Sequence, residues 1–462
     1  MPLRPGQTIR LDIQALISDG RGLARHEDLA VFVAGALPGQ QVEATIVAVK
    51  TNLAEARLDS VLAETPDARS APCPHSRQCG GCAWQGMRYP QQLVWKQRFV
   101  GDALQRIGRV ADPPVLPIVP SPLEWGYRNK MEFAFAGQGE QLSLGLHHRA
   151  THDIVDVTGC LLQTGRTMRV VEAVRRQARR SGLAAWSRKN GGWWRFLVIR
   201  EPAAGGCLVE LIAFPHPDAL RHGRAVAEAV FADCPGVSAF VLSERAALSN
   251  IAYGERTRLS LCPDLSLSHD AAALEEDLGG LRVKLGAGVF FQVNTPAAAG
   301  LYAAILRLAG MAPVRELWDL YCGVGAIGLY LARNLADPPA VLHGIEQSDQ
   351  AVKLARINAA AIQPQAVYAR GDVDRLLGKL AGIRGKAPDL AVVDPPRAGL
   401  GSGVTAALCR LRPGRILYVS CDPATLARDA ARLTPYRLEA VQPVDLFPQT
   451  PHVESVSLFV RD

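Results

Sequence analysis

No stretch of this 462-residue chain offers the ~18 uninterrupted apolar residues of a membrane-spanning helix, so no membrane association is expected. The N-terminal "MPLRPGQTIRLDI" also lacks the basic and then apolar blocks of a secretory signal. A reducing cytoplasm is the expected location, and there the ten cysteines should not pair as disulfides. Internal repeats and long low-complexity tracts are missing, which argues against a repeat array. Neither sign of charge dominates. The 51 Lys plus Arg against 44 Asp plus Glu leave +7, which favours a polyanionic partner without demanding one. Nothing calls for an obligate protein partner.

What is present divides into three segments, more than one core's worth at ~100–200 residues per domain. Residues 1–65 alternate short apolar runs such as "TIRLDIQAL" and "AVFVAGAL" with glycine-rich turns, which reads as a small all-β barrel. The aperiodic, proline-bearing "ETPDARSAP", residues 64–72, reads as a linker. Residues 66–280 mix strand-like, arginine-rich runs ("GYRNKMEFAFAG", "WWRFLVIREP") in an α+β region whose topology the pattern does not give. From residue 281 to 462, strand-like "RELWDLY", "AVLHGIE", "AVYARGD", "LAVVDPP" and "RILYVSC" alternate with helical runs, the βαβ signature of an α/β fold around a parallel sheet. In "MRVVEAVRRQARRSG", Arg175, Arg176, Arg179 and Arg180 would form a basic stripe on a helix, able either to track phosphates or merely to face solvent.

Chemistry concentrates in the last segment. "DLYCGVGAIG" places Gly323, Gly325 and Gly328 as G-x-G-x-x-G between a predicted strand and helix, where a tight turn brings backbone close to a ligand. Glu346 ends the next strand, 18 positions beyond Gly328, where a carboxylate can take two ribose hydroxyls. An adenosine-containing cofactor follows, and the glycines alone do not separate a dinucleotide from S-adenosylmethionine. Asp319, four residues before Gly323, and "DPPRAGL" beginning at Asp394 favour the latter, since an acid beside the loop suits a cationic sulfonium and ammonium. Ligands of open α/β sheets bind beyond the carboxyl ends of the strands, so Asp394 and Cys421, ending the fourth and fifth, converge on the cofactor. A thiolate there makes sense for one acceptor. C5 of a pyrimidine is too weak a nucleophile to take a methyl group unaided, and thiolate addition at C6 activates it. Glu454, near the final strand, then offers the base that removes the C5 proton.

Upstream, "CPHSRQCGGC" spaces Cys73, Cys79 and Cys82 as C-x5-C-x2-C, a pattern of metal ligands in a reducing compartment. Cys160 in "DVTGCLLQ" is the best fourth ligand, and four thiolates suit either zinc or a [4Fe–4S] cluster.

Taken in order, "DLYCGVGAIG", "DPPRAGL", "SCDPATLARD" and "LFPQTPHVESVSLF" resemble the RNA uracil-5 methyltransferase family over essentially the whole chain. The cysteine cluster and barrel are similar to its bacterial RlmD-type branch. The resemblance implies a Rossmann-like class I methyltransferase domain, an OB-like TRAM barrel at the N-terminus and a central domain carrying a [4Fe–4S] cluster on Cys73, Cys79, Cys82 and Cys160. It implies methylation of a uridine in 23S ribosomal RNA by S-adenosylmethionine, with transfer RNA the alternative substrate, Cys421 the nucleophile and Glu454 the base. Gln292 in "FFQVN", Tyr321, Glu346 and Asp394 would line the cofactor and uracil pocket with Gly323, Gly325 and Ala326. Asp372, ending the third strand, is an adenine-side contact by position only. Ala326 and Asp422 stand where the family often has Asn.

Overall fold

The computed structural model describes residues 3–149, 151–267, 274–377 and 387–462. Six strands come first: β1 (Thr8–Asp12), β2 (Ala15–Leu16), β3 (Gly22–His26), β4 (Leu29–Ala34), β5 (Gln41–Val49) and β6 (Leu53–Ala63). They form one curled sheet in the order β1-β5-β6-β4-β3-β2, with β4 and β6 parallel. Strict alternation in β5 turns Val42, Ala44 and Ile46 inward onto Leu11, Val31, Val33 and Ala54. The predicted linker has no regular structure but is pinned, since Arg69 bonds Gln85 O, Glu124 and Gln449.

Helix α1 (Tyr89–Arg106) follows, started by Pro90 in its first turn. Its apolar face does not serve the next sheet in sequence. Val100 and Leu104 are fully buried in a cluster with Trp318, Leu320, Ile345 and Leu426, so α1 packs on the C-terminal sheet more than 200 residues downstream. The central sheet comprises β7 (Lys130–Ala136), β8 (Ser143–His147), β9 (Ile154–Asp156), β10 (Trp194–Arg200), β11 (Leu208–Ala213), β12 (Ala239–Glu244) and β13 (Arg256–Leu261), in the order β13-β12-β11-β10-β7-β8-β9. The two arginine-rich runs of the sequence are thus neighbours, β7 antiparallel to β10. Helices α2 (Gly165–Ser181) and α3 (Ala219–Asp233) cover this sheet with Val170, Val174, Val226 and Val230.

The hairpin of β14 (Leu274–Leu278) and β15 (Leu281–Leu285) turns at Gly279 and Gly280, both with positive φ. Helix α4 (Thr295–Ala309) leads into β16 (Glu316–Leu320), α5 (Ala326–Asn334), β17 (Val341–Glu346), α6 (Asp349–Ala359), β18 (Val367–Arg370), β19 (Leu390–Val393), α7 (Ser402–Leu411), β20 (Arg415–Ser420), α8 (Pro423–Ala430), β21 (Tyr436–Val444) and β22 (Glu454–Arg461). Five parallel strands occur in the order β18-β17-β16-β19-β20, as the alternation predicts. The sheet is nevertheless mixed. β21 and β22 are joined by a loop with no crossover helix, so β22 runs antiparallel and inserts between β20 and β21. Helices on both faces leave "LAVV" of β19 wholly buried. Among the described residues no helix is long and apolar enough to cross a membrane.

Candidate active site and cysteine quartet

Strand register brings the thiol and the carboxylate together. β20 and β22 pair from Arg415↔Val460 to Ser420↔Ser455, and one further step of the same register sets Cys421 opposite Glu454. The chain turns at Cys421 because Asp422 caps α8, accepting from Thr425 N at 2.8 Å, and Pro423 opens the helix. An Asn could make the same cap, so the departure at Asp422 leaves the local fold intact. Asp394 follows β19, the strand parallel to β20, and completes the group.

Electrostatics separate this site from an ordinary buried cysteine. Burial pushes the Cys421 thiol up to about 12, helped by Glu454 and Asp394 and opposed by the Arg397 guanidinium. Glu454, 5% exposed, is held well above the usual carboxylate range by burial and by Asp394. Burial thus disfavours the charged form of both groups, and Arg397 is a cation that favours it. Arg397 lies inside "DPPRAGL" and the sequence reading passed it over. Its type was the available signal, a basic residue at the carboxyl edge of a strand.

The glycine loop lies at the same edge. Tyr321 takes φ 63°, an unusual left-handed backbone for a tyrosine, and Gly323 and Gly325 follow at 54° and 81°. A Cβ on Gly325 would stand 2.8 Å from the Tyr368 hydroxyl, so glycine is required twice over. Gly328 N donates to Asp319 Oδ2 at 2.9 Å, joining strand and helix, while the fully buried Asp319 Oδ1 has no hydrogen-bond partner among the described residues. Burial, the larger cause, and Glu346 raise Asp319 to about 7. Glu346 ends β17 and accepts from Gly323 N and Ser348 N at 3.1 and 2.7 Å. Ala326 opens α5 and is buried.

Gln292 lies in the loop before α4, 7% exposed. Its carbonyl accepts from Asn129 Nδ2 at 3.0 Å, and two residues on, Asn294 Nδ2 donates to Leu446 O at 2.9 Å, in the loop that leads to Glu454. Asp372 sits apart, exposed beyond β18, with its Oδ1 accepting from Arg375 N. It lies within electrostatic reach of Tyr321, whose phenol it helps to raise.

The second site gathers four thiols from two distant segments. Cys73, Cys79, Cys82 and Cys160 line one cavity of ≈ 520 Å³, so position 160 lies with the other three. Each thiol lies within electrostatic reach of the other three, and burial raises Cys82 to about 12 and lifts Cys79 and Cys160 as well. No disulfide joins them.

The arginine stripe needs correction. The helix forms, but Arg175 is buried on Asp156, Glu172 and the carbonyls of Leu144 and Val157, Arg179 bonds Asp156 and Leu142 O, and Arg176 pairs with Asp233. Acids from neighbouring strands and helix α3 consume the positive charge, leaving Arg180 exposed beyond them. Arg175 and Arg179 tie α2 to the neighbouring strands, and of the four arginines only Arg176 and Arg180 are exposed.

Comparison with known proteins places this geometry. A family model described as tRNA (Uracil-5-)-methyltransferase matches residues 280–462, and a TRAM domain model matches residues 2–58. A protein of Nitratidesulfovibrio vulgaris described as an uncharacterized RNA methyltransferase is 45% identical over 98% of this chain and 96% of its own length. A Gloeobacter violaceus protein of the same description is 36% identical over 99% and 98%. The solved structure of the Pyrococcus abyssi tRNA (uracil-54, C5)-methyltransferase in complex with S-adenosyl-L-homocysteine shares the fold, with TM-score 0.75 and 24% identity over 98% of this chain and 100% of that one. With its TRAM sheet, its methyltransferase fold and its full-length relatives, the chain belongs to the RNA uracil-5 methyltransferase family.

Proposed function

We propose that the protein methylates C5 of a uridine in 23S ribosomal RNA, with S-adenosylmethionine as donor, Cys421 as nucleophile and Glu454 as base. The observation that carries this reading is the register that sets Cys421 opposite Glu454 beside the glycine loop. The loop fits the donor. The unpartnered Asp319 Oδ1 and the Glu346 carboxylate offer acceptors for a cationic group and a ribose, and Gly323 leaves open space above its backbone. Bound there, S-adenosylmethionine supplies an electrophilic methyl group. Cys421 as thiolate forms a bond to C6 of the uracil, and the displaced electron pair makes C5 nucleophilic enough to take the methyl group. Glu454 removes the C5 proton, and the returning pair breaks the sulfur–C6 bond. Arg397 assists by favouring the thiolate. A base must leave its stack to meet a half-buried thiol, so an unpaired or locally refolded RNA segment is the expected target, held in part by the TRAM sheet.

Four thiols lining one cavity are the donor set that a [4Fe–4S] cluster takes. Such a cluster would stiffen the segment that holds it and supply no step of methyl transfer. About four irons per anaerobically purified chain would support the cluster, and one zinc without colour would replace it.

A second reading keeps the chemistry and takes the T-loop uridine of transfer RNA, as the name of the Pyrococcus abyssi neighbour suggests. Methyl-labelled S-adenosylmethionine with unmodified 23S ribosomal RNA and transfer RNA, separately, decides between them. Label in 5-methyluridine of ribosomal RNA alone upholds the proposal, label in transfer RNA alone moves the substrate, and no label with RNA binding intact overturns the activity.

A further inference from the structure

The loop between β21 and β22, residues 445–453, ends directly at Glu454 and is long for a hairpin connection. Lys96 of α1, wholly buried, donates to Asp445 Oδ1 at 2.6 Å and to Phe447 O at 2.9 Å. The Tyr127 hydroxyl donates to Pro448 O at 2.9 Å. The most complete set of contacts surrounds Gln449, whose side chain is fully buried and whose backbone takes φ 71°. Gln449 N donates to Gln92 Oε1 at 2.8 Å, and Gln92 Nε2 returns a bond to Gln449 Oε1 at 3.0 Å. Arg69 Nη2 donates to the same Oε1 at 2.9 Å, and Trp84 N donates to Gln449 O at 2.9 Å.

All these anchors come from residues 69–127, outside the methyltransferase sheet. Gln92 also holds Trp84 O and Met87 O, which locks it to the segment immediately after Cys82. A left-handed glutamine persists only where its surroundings fix it. Here four hydrogen-bonding groups do so, five residues before the carboxylate.

We propose that Gln449, clamped by Gln92 and Trp84, is a positioning residue that aims the Glu454 carboxylate at the C5 proton. The inference rests on the mechanism proposed above and adds to it a split of labour. The sheet places the Glu454 backbone, through its ladder partner Val444, and the clamp places its side chain.

Chemistry gives this role a signature that loss of folding lacks. When the base is misaimed, Cys421 still bonds to C6 and C5 still takes the methyl group, but the C5 proton stays. The sulfur–C6 bond then persists, and methylated RNA remains attached to protein. The test compares Gln449→Asn, which tolerates the left-handed backbone but falls short of Gln92, and Gln92→Met, an apolar replacement of similar length, with Glu454→Gln. Each is incubated with S-adenosylmethionine and unmodified RNA, and the covalent adduct is measured on denaturing gels beside kcat and RNA affinity. Both clamp variants should accumulate adduct as Glu454→Gln does, with kcat down about 10–100-fold and RNA affinity within twofold of the parent. If Glu454→Gln traps adduct and both clamp variants turn over normally or lose activity without adduct, the positioning role is wrong. If Glu454→Gln itself traps none, it is the underlying mechanism that fails.

Discussion

Cys421 and Cys82 are both half-buried, and burial raises the two thiols alike to about 12. Their company differs. Cys421 has the carboxyls of Glu454, Asp394 and Asp422 and the Arg397 guanidinium within electrostatic reach, while Cys82 has three other thiols. A thiol among groups that can take or stabilise a proton is equipped for a reversible bond to a substrate, whereas thiols that face one another gain their charge only with a cation to share it. The same perturbation therefore points to catalysis in one region and to ligation in the other.

The sharpest break between the two is by substitution. Cys421→Ala should remove methyl transfer to below detection while leaving metal content and melting temperature near the parent values, as labelled-methyl assays, metal analysis and calorimetry would read. Cys82→Ala should do the converse first, with metal lost and the melting temperature lowered by several degrees. Activity would fall with it, since Trp84, two residues on, holds the Glu454 loop. Equal loss of metal in both variants would erase the distinction.

A smaller effect concerns the cation beside Cys421. Arg397→Gln removes a cation that favours the thiolate, so the thiol rises further. Activity increases with pH as the thiolate forms, and the rising limb of the pH–rate profile should move to higher pH, lowering the rate at pH 7 by about tenfold for one pKa unit. An unshifted profile would deny Arg397 this role.

The smallest effect is on the donor side. Burial first, then Asp319 for Asp394 and Glu346 for Asp319, raises both carboxyls from 3.8 to about 7. The folded chain thus keeps protons that the unfolded chain releases, and these groups lower stability as pH rises from about 4 to 7. A cationic ligand beside them offsets that loss. The rise in melting temperature on adding S-adenosylmethionine should therefore be larger at pH 7.5 than at pH 5.5, and an equal rise at both would contradict the assignment.

The parallel strands, the glycine loop and the Cys421–Glu454 pair were legible because each follows from local pattern, a strand run ending at a chemically distinctive residue. The quartet was legible at three positions by spacing, and at Cys160 because a lone cysteine after a glycine turn stood out. Three things were not. The mixed sheet depends on β22 inserting between β20 and β21, which no periodicity encodes. Lys96 and Gln92 look like ordinary helix residues, since their partners lie 349 and 357 positions away. The arginine stripe misled because spacing says where charges project and nothing about the acids packed against them.

The most direct measurement uses an RNA substrate carrying 5-fluorouridine, where the base has no C5 proton to remove and the covalent adduct cannot resolve. Incubated with S-adenosylmethionine, digested and read by mass spectrometry, it should yield methylated fluorouridine attached to the peptide of "YVSCDPATLAR" at Cys421. Attachment at Cys73, Cys79, Cys82 or Cys160, or methylation with no adduct at all, would contradict the division of labour between the two thiol sites.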